Sequence, residues 1–185
     1  MGGKAHIFSW GATAQKMRVP AGFLLGIVFL VLMHPSRHSL LLGGALASLG
    51  SLIRVWAAGY IDKGKTLAQE GPYAMTRNPL YVGSFFMALG VLLAGQVYWL
   101  LVPFGIFFLV FYLPVMKREE QELLHGYGDE FLGYSRRVPM FFPNFRAASA
   151  HSTSFLWARV FRNREHRTLM GFALTELFLI LKSFQ

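Results

Sequence analysis

Cysteine is absent from the 185-residue chain. That excludes disulfides, thiolate metal sites, iron–sulfur clusters and a cysteine nucleophile, and it leaves the redox compartment open. Charge is scarce too, at 15% of residues against about 25% in a typical soluble domain. Acids are scarcest, 9 Asp and Glu against 18 Lys and Arg. There is no G-x-S-x-G nucleophile elbow. Gly126-x-Gly128 lacks the third glycine of a dinucleotide fingerprint and follows no strand pattern. The six histidines form no H-x-x-x-H pair with an acid, so no metal site is expected. Internal repeats, low-complexity segments and a convincing signal-peptide cleavage site are missing as well.

What fills the chain is apolar: 54% hydrophobic residues, 16% aromatic, 18 Phe among them. Mean hydropathy is +0.42. Disorder is excluded by that hydrophobicity, and so is an ordinary soluble globule. The composition implies an all-α, polytopic membrane bundle. Val19–Met33 and Ser39–Ala58 are the first two apolar runs, the second carrying Arg54. Asn78–Met116 is a charge-free run of 39 residues, which as one helix would rise ~58 Å against a hydrocarbon core of about 30 Å. It must fold back, and Gly95-Gln96 is its polar turn. Pro79–Ala94 and Val97–Pro114 thus make a hairpin. Thr168–Leu181 is a possible fifth, short C-terminal helix. The spans divide the chain into a bundle, residues 1–115, and a cytoplasmic and C-terminal part, residues 116–185.

Residues 1–18, 59–78 and 116–168 hold 15 of the 18 Lys and Arg. By the positive-inside rule, the N-terminus and both segments lie in the cytoplasm, in a cell inner membrane. The +9 charge therefore marks cytoplasmic loops and contact with an anionic lipid surface, with no claim for nucleic acid. Phe155–Arg167 reads as an amphipathic helix on that surface.

Several positions carry chemistry. Gly43, Ala47 and Gly50 form a small-residue stripe that lets another helix approach closely, and it leads to Arg54, a costly charge inside a span. Gly71-Pro72 marks a turn, Asn78 can cap the third span, and Pro79 suits its first position. The free N–H groups of that helix start, with Arg77 beside them, suit an anion. Glu119 and Glu120 lie at the cytoplasmic end of the fourth span, 100° apart on the helix, so one can face the bundle while the other meets water.

Taken in order, Arg54-Val55-Trp56-Ala57-Ala58-Gly59, Gly71-Pro72-Tyr73…Arg77-Asn78-Pro79-Leu80-Tyr81-Val82-Gly83, and Glu119-Glu120…Gly128-Asp129-Glu130-Phe131…Tyr134…Arg137-Val138-Pro139 resemble the integral membrane methyltransferases of the isoprenylcysteine carboxyl and phosphatidylethanolamine type. The resemblance covers residues 54–139, and Asn78 stands where many members have His. It implies S-adenosylmethionine as methyl donor and a lipidic or lipidated acceptor, either a phospholipid amine or an isoprenylcysteine-like carboxylate. It implies a donor pocket lined by Gly71, Pro72, Tyr73, Asn78, Pro79, Tyr81, Glu119 and Glu120, with Glu120 on the donor's amino group. Arg77, Glu120 and Arg137 would be the catalytic set, and Arg54, Trp56 and Tyr134 the acceptor contacts. A C-terminal segment would close the pocket, and the last helix could serve as an oligomer contact. The competing expectations are a nicotinamide-dependent reductase of the sterol-reductase type and a non-enzymatic membrane partner.

Overall fold

The structure is a computed structural model that describes residues 2–62, 64, 66–145 and 154–184, with side chains from Thr13 onward. Among these residues the only regular elements are helical: α1 (Gly2–Leu32), α2 (Arg37–Ala58), a 310 turn (Gly71–Ala74), α3 (Pro79–Ala94), a second 310 turn (Tyr98–Leu100), α4 (Leu101–Phe107), a π-helical stretch (Phe108–Tyr112), α5 (Leu113–Tyr127), α6 (Asp129–Arg137), α7 (Trp157–Arg162) and α8 (Glu165–Lys182). Three helical stretches are long and apolar enough to cross a membrane: Thr13–Leu32, Arg37–Ala58 and Tyr98–Tyr127; Pro79–Ala94 is a shorter apolar helix. The all-helical membrane bundle expected from composition is what forms.

The α2–α3 pair is the centre of the bundle. A Cβ on Gly43 would lie 2.5 Å from the Gly90 carbonyl oxygen, and one on Gly90 2.5 Å from the Gly43 oxygen. Gly50 and Gly83 oppose each other the same way at 2.6 Å. The small-residue stripe read from α2 is thus half of a two-sided seam in which the backbones touch. Its far end is fixed by a capping box, Ser36 with Ser39, and by the Ser39 hydroxyl, which donates to the Ala94 carbonyl at 2.8 Å. At the same end Phe29, Met33, Leu92, Val97, Leu100 and Leu179 form one apolar core. The Gly95-Gln96 turn reverses the chain as expected, with Gln96 in the left-handed region at φ 57°.

The fourth span continues past the expected membrane boundary as α5, through Tyr127. Its π-helical stretch has a local cause: Pro114 lacks the N–H that would hold the regular register. The wider turn brings Phe108 and Tyr112 into a stack, 4.9 Å between centroids and 7° between planes.

The amphipathic helix expected over Phe155–Arg167 does not form as one element. The helix breaks at Asn163 and Arg164, where Arg164 has φ 58°. Polar partners in the protein capture this segment. Asn163 donates to the Ala58 and Ile61 carbonyls at 3.0 and 3.1 Å. Arg162 and Arg159 pair with Asp62 at 2.6 and 3.9 Å.

Replacing Gly90 by Val should lower the thermal unfolding midpoint in detergent, by the equivalent of roughly 1–3 kcal/mol or more for an overpacked contact. Gly105, where a Cβ meets nothing within 4 Å, should accept Ala without loss. Equal tolerance at both positions would refute the seam.

Candidate active site

Between α1, α3, α4 and α5 lies a cavity of about 1380 Å³, larger than the ~300–1,000 Å³ of most small-molecule sites. It has two parts. One is a polar chamber at the α5–α6 end, lined by Asp62, Tyr73, Asn78, Tyr81, Glu119, Glu122, Tyr127 and Tyr134. The other is an apolar groove running along the bundle between Val19, Phe23, Ile27 and Leu30 of α1 and Ala88, Leu92, Phe104 and Phe107 opposite. The α1 side of the groove is exposed: Phe23 is 70% and Ile27 57% accessible.

The chamber wall is built from the turn that enters α3. Gly71 has φ +58°, and a Cβ there would lie 2.6 Å from the Tyr60 ring, so only glycine fits both backbone and neighbour. The turn buries Tyr73, whose carbonyl accepts the Tyr134 hydroxyl at 2.8 Å. A strap, residues 139–145, crosses this turn. The Arg77 N–H donates to the Pro139 carbonyl at 2.9 Å, and the Asn144 N–H to Met75 at 2.8 Å. The Thr76 hydroxyl donates to Met140 and Phe141 at 3.2 and 3.0 Å.

Asn78 occupies the N-cap position of α3, but its side chain does not cap the helix. This corrects the capping expectation. Its amide instead donates to Glu120 Oε1 at 3.3 Å and to the Met140 carbonyl at 3.1 Å. The other Glu120 oxygen takes Arg77 at 3.3 Å. The Glu120 carboxylate and the Met140 carbonyl take the amide N–H groups of Asn78 and so fix its side chain in an orientation that does not cap the helix.

The two adjacent glutamates therefore part company. Glu119 lines the chamber and accepts the Tyr81 hydroxyl at 2.8 Å. Glu120 stands outside the lining and ties α5 to the α3 turn. Of the other anticipated residues, Arg54, Tyr73, Asn78, Pro79, Tyr81 and Tyr134 line the cavity. Gly71 and Pro72 shape the turn behind it, Trp56 stands exposed on α2, and exposed Arg137 donates to its own helix at Gly133.

Arg54 is held by a group that sequence reasoning missed. Its Nε and Nη2 meet both oxygens of Glu165 at 2.6 and 2.9 Å, a bidentate pair. Nη1 reaches the Leu80 carbonyl at 3.2 Å and the Ser84 hydroxyl. Glu165 is only 4% accessible, so the pair clamps the start of α8 onto α2 and α3. Asp62, Glu122, Tyr112 and Arg18 were also missed. The two acids were discoverable in principle, as members of a set of nine.

The chamber fits a cationic, ring-bearing ligand such as S-adenosylmethionine. Three carboxylates, Asp62, Glu119 and Glu122, face it together with the rings of Tyr73, Tyr81, Tyr127 and Tyr134. Carboxylates and ring faces both favour a cation. Among the described residues no cluster of His, Asp and Glu could hold a metal ion.

A helical membrane protein with an internal cavity, polar at one end and apolar along its length, is the class that fold and site define. The chain belongs to the phospholipid methyltransferase family, whose model matches residues 38–130. It is 38% identical to the cobalt-zinc-cadmium resistance protein CzcN of Cupriavidus metallidurans over 61% of this chain and 51% of that protein. It is 36% identical to the nickel-cobalt-cadmium resistance protein NccN of Alcaligenes xylosoxydans xylosoxydans, over 61% of this chain and 52% of that one. A protein-S-isoprenylcysteine O-methyltransferase of Schizosaccharomyces pombe is 31% identical over 73% of this chain and 59% of its own length. The chain thus spans about half the length of its two metal-resistance relatives. No solved structure matches it significantly.

Burial raises the pKa of Tyr73 and Tyr134 well above the tyrosine norm. Both phenols stay protonated in the folded state at a pH where unfolded tyrosines, near 10, ionise. Their stabilisation is full below pH ~10 and is lost as pH rises toward the folded values. Thermal scans from pH 9 to 11.5 should show a falling midpoint, with a shallower fall in Tyr134→Phe. A fall of equal slope in that variant would show that Tyr134 contributes nothing to it.

Proposed function

We propose that this chain is an integral membrane methyltransferase that uses S-adenosylmethionine and acts on a membrane-embedded amphiphile. The observation that carries the reading is the single cavity in which an acidic, tyrosine-rich chamber continues into an exposed apolar groove. When bound, S-adenosylmethionine supplies an already activated methyl group, so the protein's contribution is chiefly orientation and proximity, worth up to about 7–11 kcal/mol of barrier.

Each wall group has a part in that. Glu119, aimed by the Tyr81 hydroxyl, holds the donor's cationic end in the chamber. Asp62 and Glu122 line the same chamber, fixed in place by Arg159 and Arg162 and by Arg118. Glu120 holds Arg77 and Asn78, and through Asn78 the strap, so that the chamber keeps its shape and excludes water. The groove takes the acceptor's apolar chain, entered from the bilayer between α1 and α3. The excess of basic residues in the segments around the chamber supports a cytoplasmic chamber, on the same side as the N-terminus.

Calorimetry of the purified chain with S-adenosylhomocysteine tests the donor. Binding is expected, and NADPH binding in its place would sink the reading. Labelled methyl transfer from S-adenosylmethionine, into total lipid and into a prenylcysteine analogue, identifies the acceptor. Glu119→Gln should weaken S-adenosylhomocysteine by about tenfold, on the scale of ~1–3 kcal/mol for a lost charged hydrogen bond. Glu120→Gln should lower the unfolding midpoint more than the affinity. The reverse pattern would exchange the roles of the two glutamates.

A further inference from the structure

Two cations of the described residues line the cavity, Arg18 and Arg54. Arg54 has its donor fork filled by Glu165. Arg18 does not. No described carboxylate pairs with it. Its guanidinium carbon lies over the Tyr112 ring, 5.3 Å from the centroid, and its charge acts on the Tyr81 hydroxyl. A guanidinium placed over a ring interacts with it through its charge and keeps N–H donors for a carboxylate or phosphate.

Its position gives that capacity a use. Arg18 directly precedes Val19, where the exposed apolar wall of α1 begins. On its other side it meets Tyr81, which is hydrogen-bonded to Glu119 in the chamber. It therefore stands at the junction between apolar groove and acidic chamber, a positive charge beside three lining carboxylates. One turn earlier, Gln15 accepts Arg118 of α5 at 3.1 Å, which fixes this end of α1 against the chamber. A cation that merely snorkelled would point away from the bundle; this one lies against its inner rings.

We infer that Arg18 is the acceptor-recognition residue, and that it selects an amphiphile with a carboxylate or phosphate next to its apolar chain. The inference rests on the methyltransferase reading for the word acceptor, but the binding it describes does not. The division of charge is simple: a cationic donor is held among the acids, and an anionic acceptor head is held at Arg18, where it cannot compete for the acidic chamber.

The test uses paired probes on the purified full chain in neutral detergent. One pair is N-acetyl-S-farnesylcysteine and its carboxamide; the other is dilauroyl phosphatidic acid and dilauroylglycerol. Wild type should bind the anionic member of at least one pair more tightly, and which pair it is separates a carboxylate acceptor from a phosphate one. Arg18→Gln should weaken that anionic probe at least tenfold and its uncharged partner less than twofold, with S-adenosylhomocysteine affinity unchanged. Arg18→Lys, which keeps the charge without the fork, should retain part of the preference. Equal weakening of both members of a pair, no weakening, or no anionic preference in wild type would each overturn the inference. Absence of S-adenosylhomocysteine binding in wild type would defeat the methyltransferase reading instead, leaving the paired comparison intact.

Discussion

Close contact of two glycine-lined helices is the constraint on which the rest of the molecule depends. Because Gly43, Gly50, Gly83 and Gly90 bring α2 and α3 to backbone contact, Arg54 lies directly over Gly83 and within reach of Leu80 and Ser84. Any side chain on Gly83 would collide with the Arg54 stem. The guanidinium held there then collects Glu165 and, with it, α8. A buried charge pair of this kind adds little net stability over an apolar contact, but leaving either member alone is expensive. Its effect is therefore to specify one docking of the last helix.

A second carboxylate works by the same logic at the other end of α3. Glu120 is too crowded by Asn78 and Arg77 to serve as an open wall of the chamber. What it controls is the position of the α3 entry turn and, through Asn78 and Met140, the strap. Glu119, one residue earlier and 100° around the helix, escapes those partners and reaches the cavity. One residue of offset on a helix separates a carboxylate that ties elements together from one that lines the cavity.

The apolar architecture was legible because hydrophobic runs and their charged borders are properties of short windows of sequence. The charge-free run of 39 residues and its reversal at Gly95-Gln96 both followed from local pattern and helix length. Pairings across long separations were not legible. Arg54 and Glu165 lie 111 residues apart, and nothing near Glu165 marks it as a partner. Asn78 was misread for a related reason: its cap propensity is local, whereas Glu120 and the Met140 carbonyl arrive from elsewhere in the chain. The break in the Phe155–Arg167 helix has the same origin, since Asp62 and the last carbonyls of α2 compete for a basic face that looked destined for lipid. The stripe on α2 was read correctly as a close-packing surface, yet its partner glycines on α3 were found only in the fold.

The uneven charge of the chain takes on a different meaning once the cavity is located. A net charge of +9 is a sum over the whole chain, while the cavity itself gathers Asp62, Glu119 and Glu122 with Arg18 and Arg54. Acids are scarce in the chain and three of them line this cavity, Asp62 held by Arg159 and Arg162, Glu122 by Arg118, and Glu119 hydrogen-bonded by Tyr81. The apolar groove adds a second entrance that no soluble ligand would choose. One cavity therefore has two separate approaches, a polar and an apolar one, and the helices around the glycine seam supply the second only because α1 leaves Phe23 and Ile27 exposed along it.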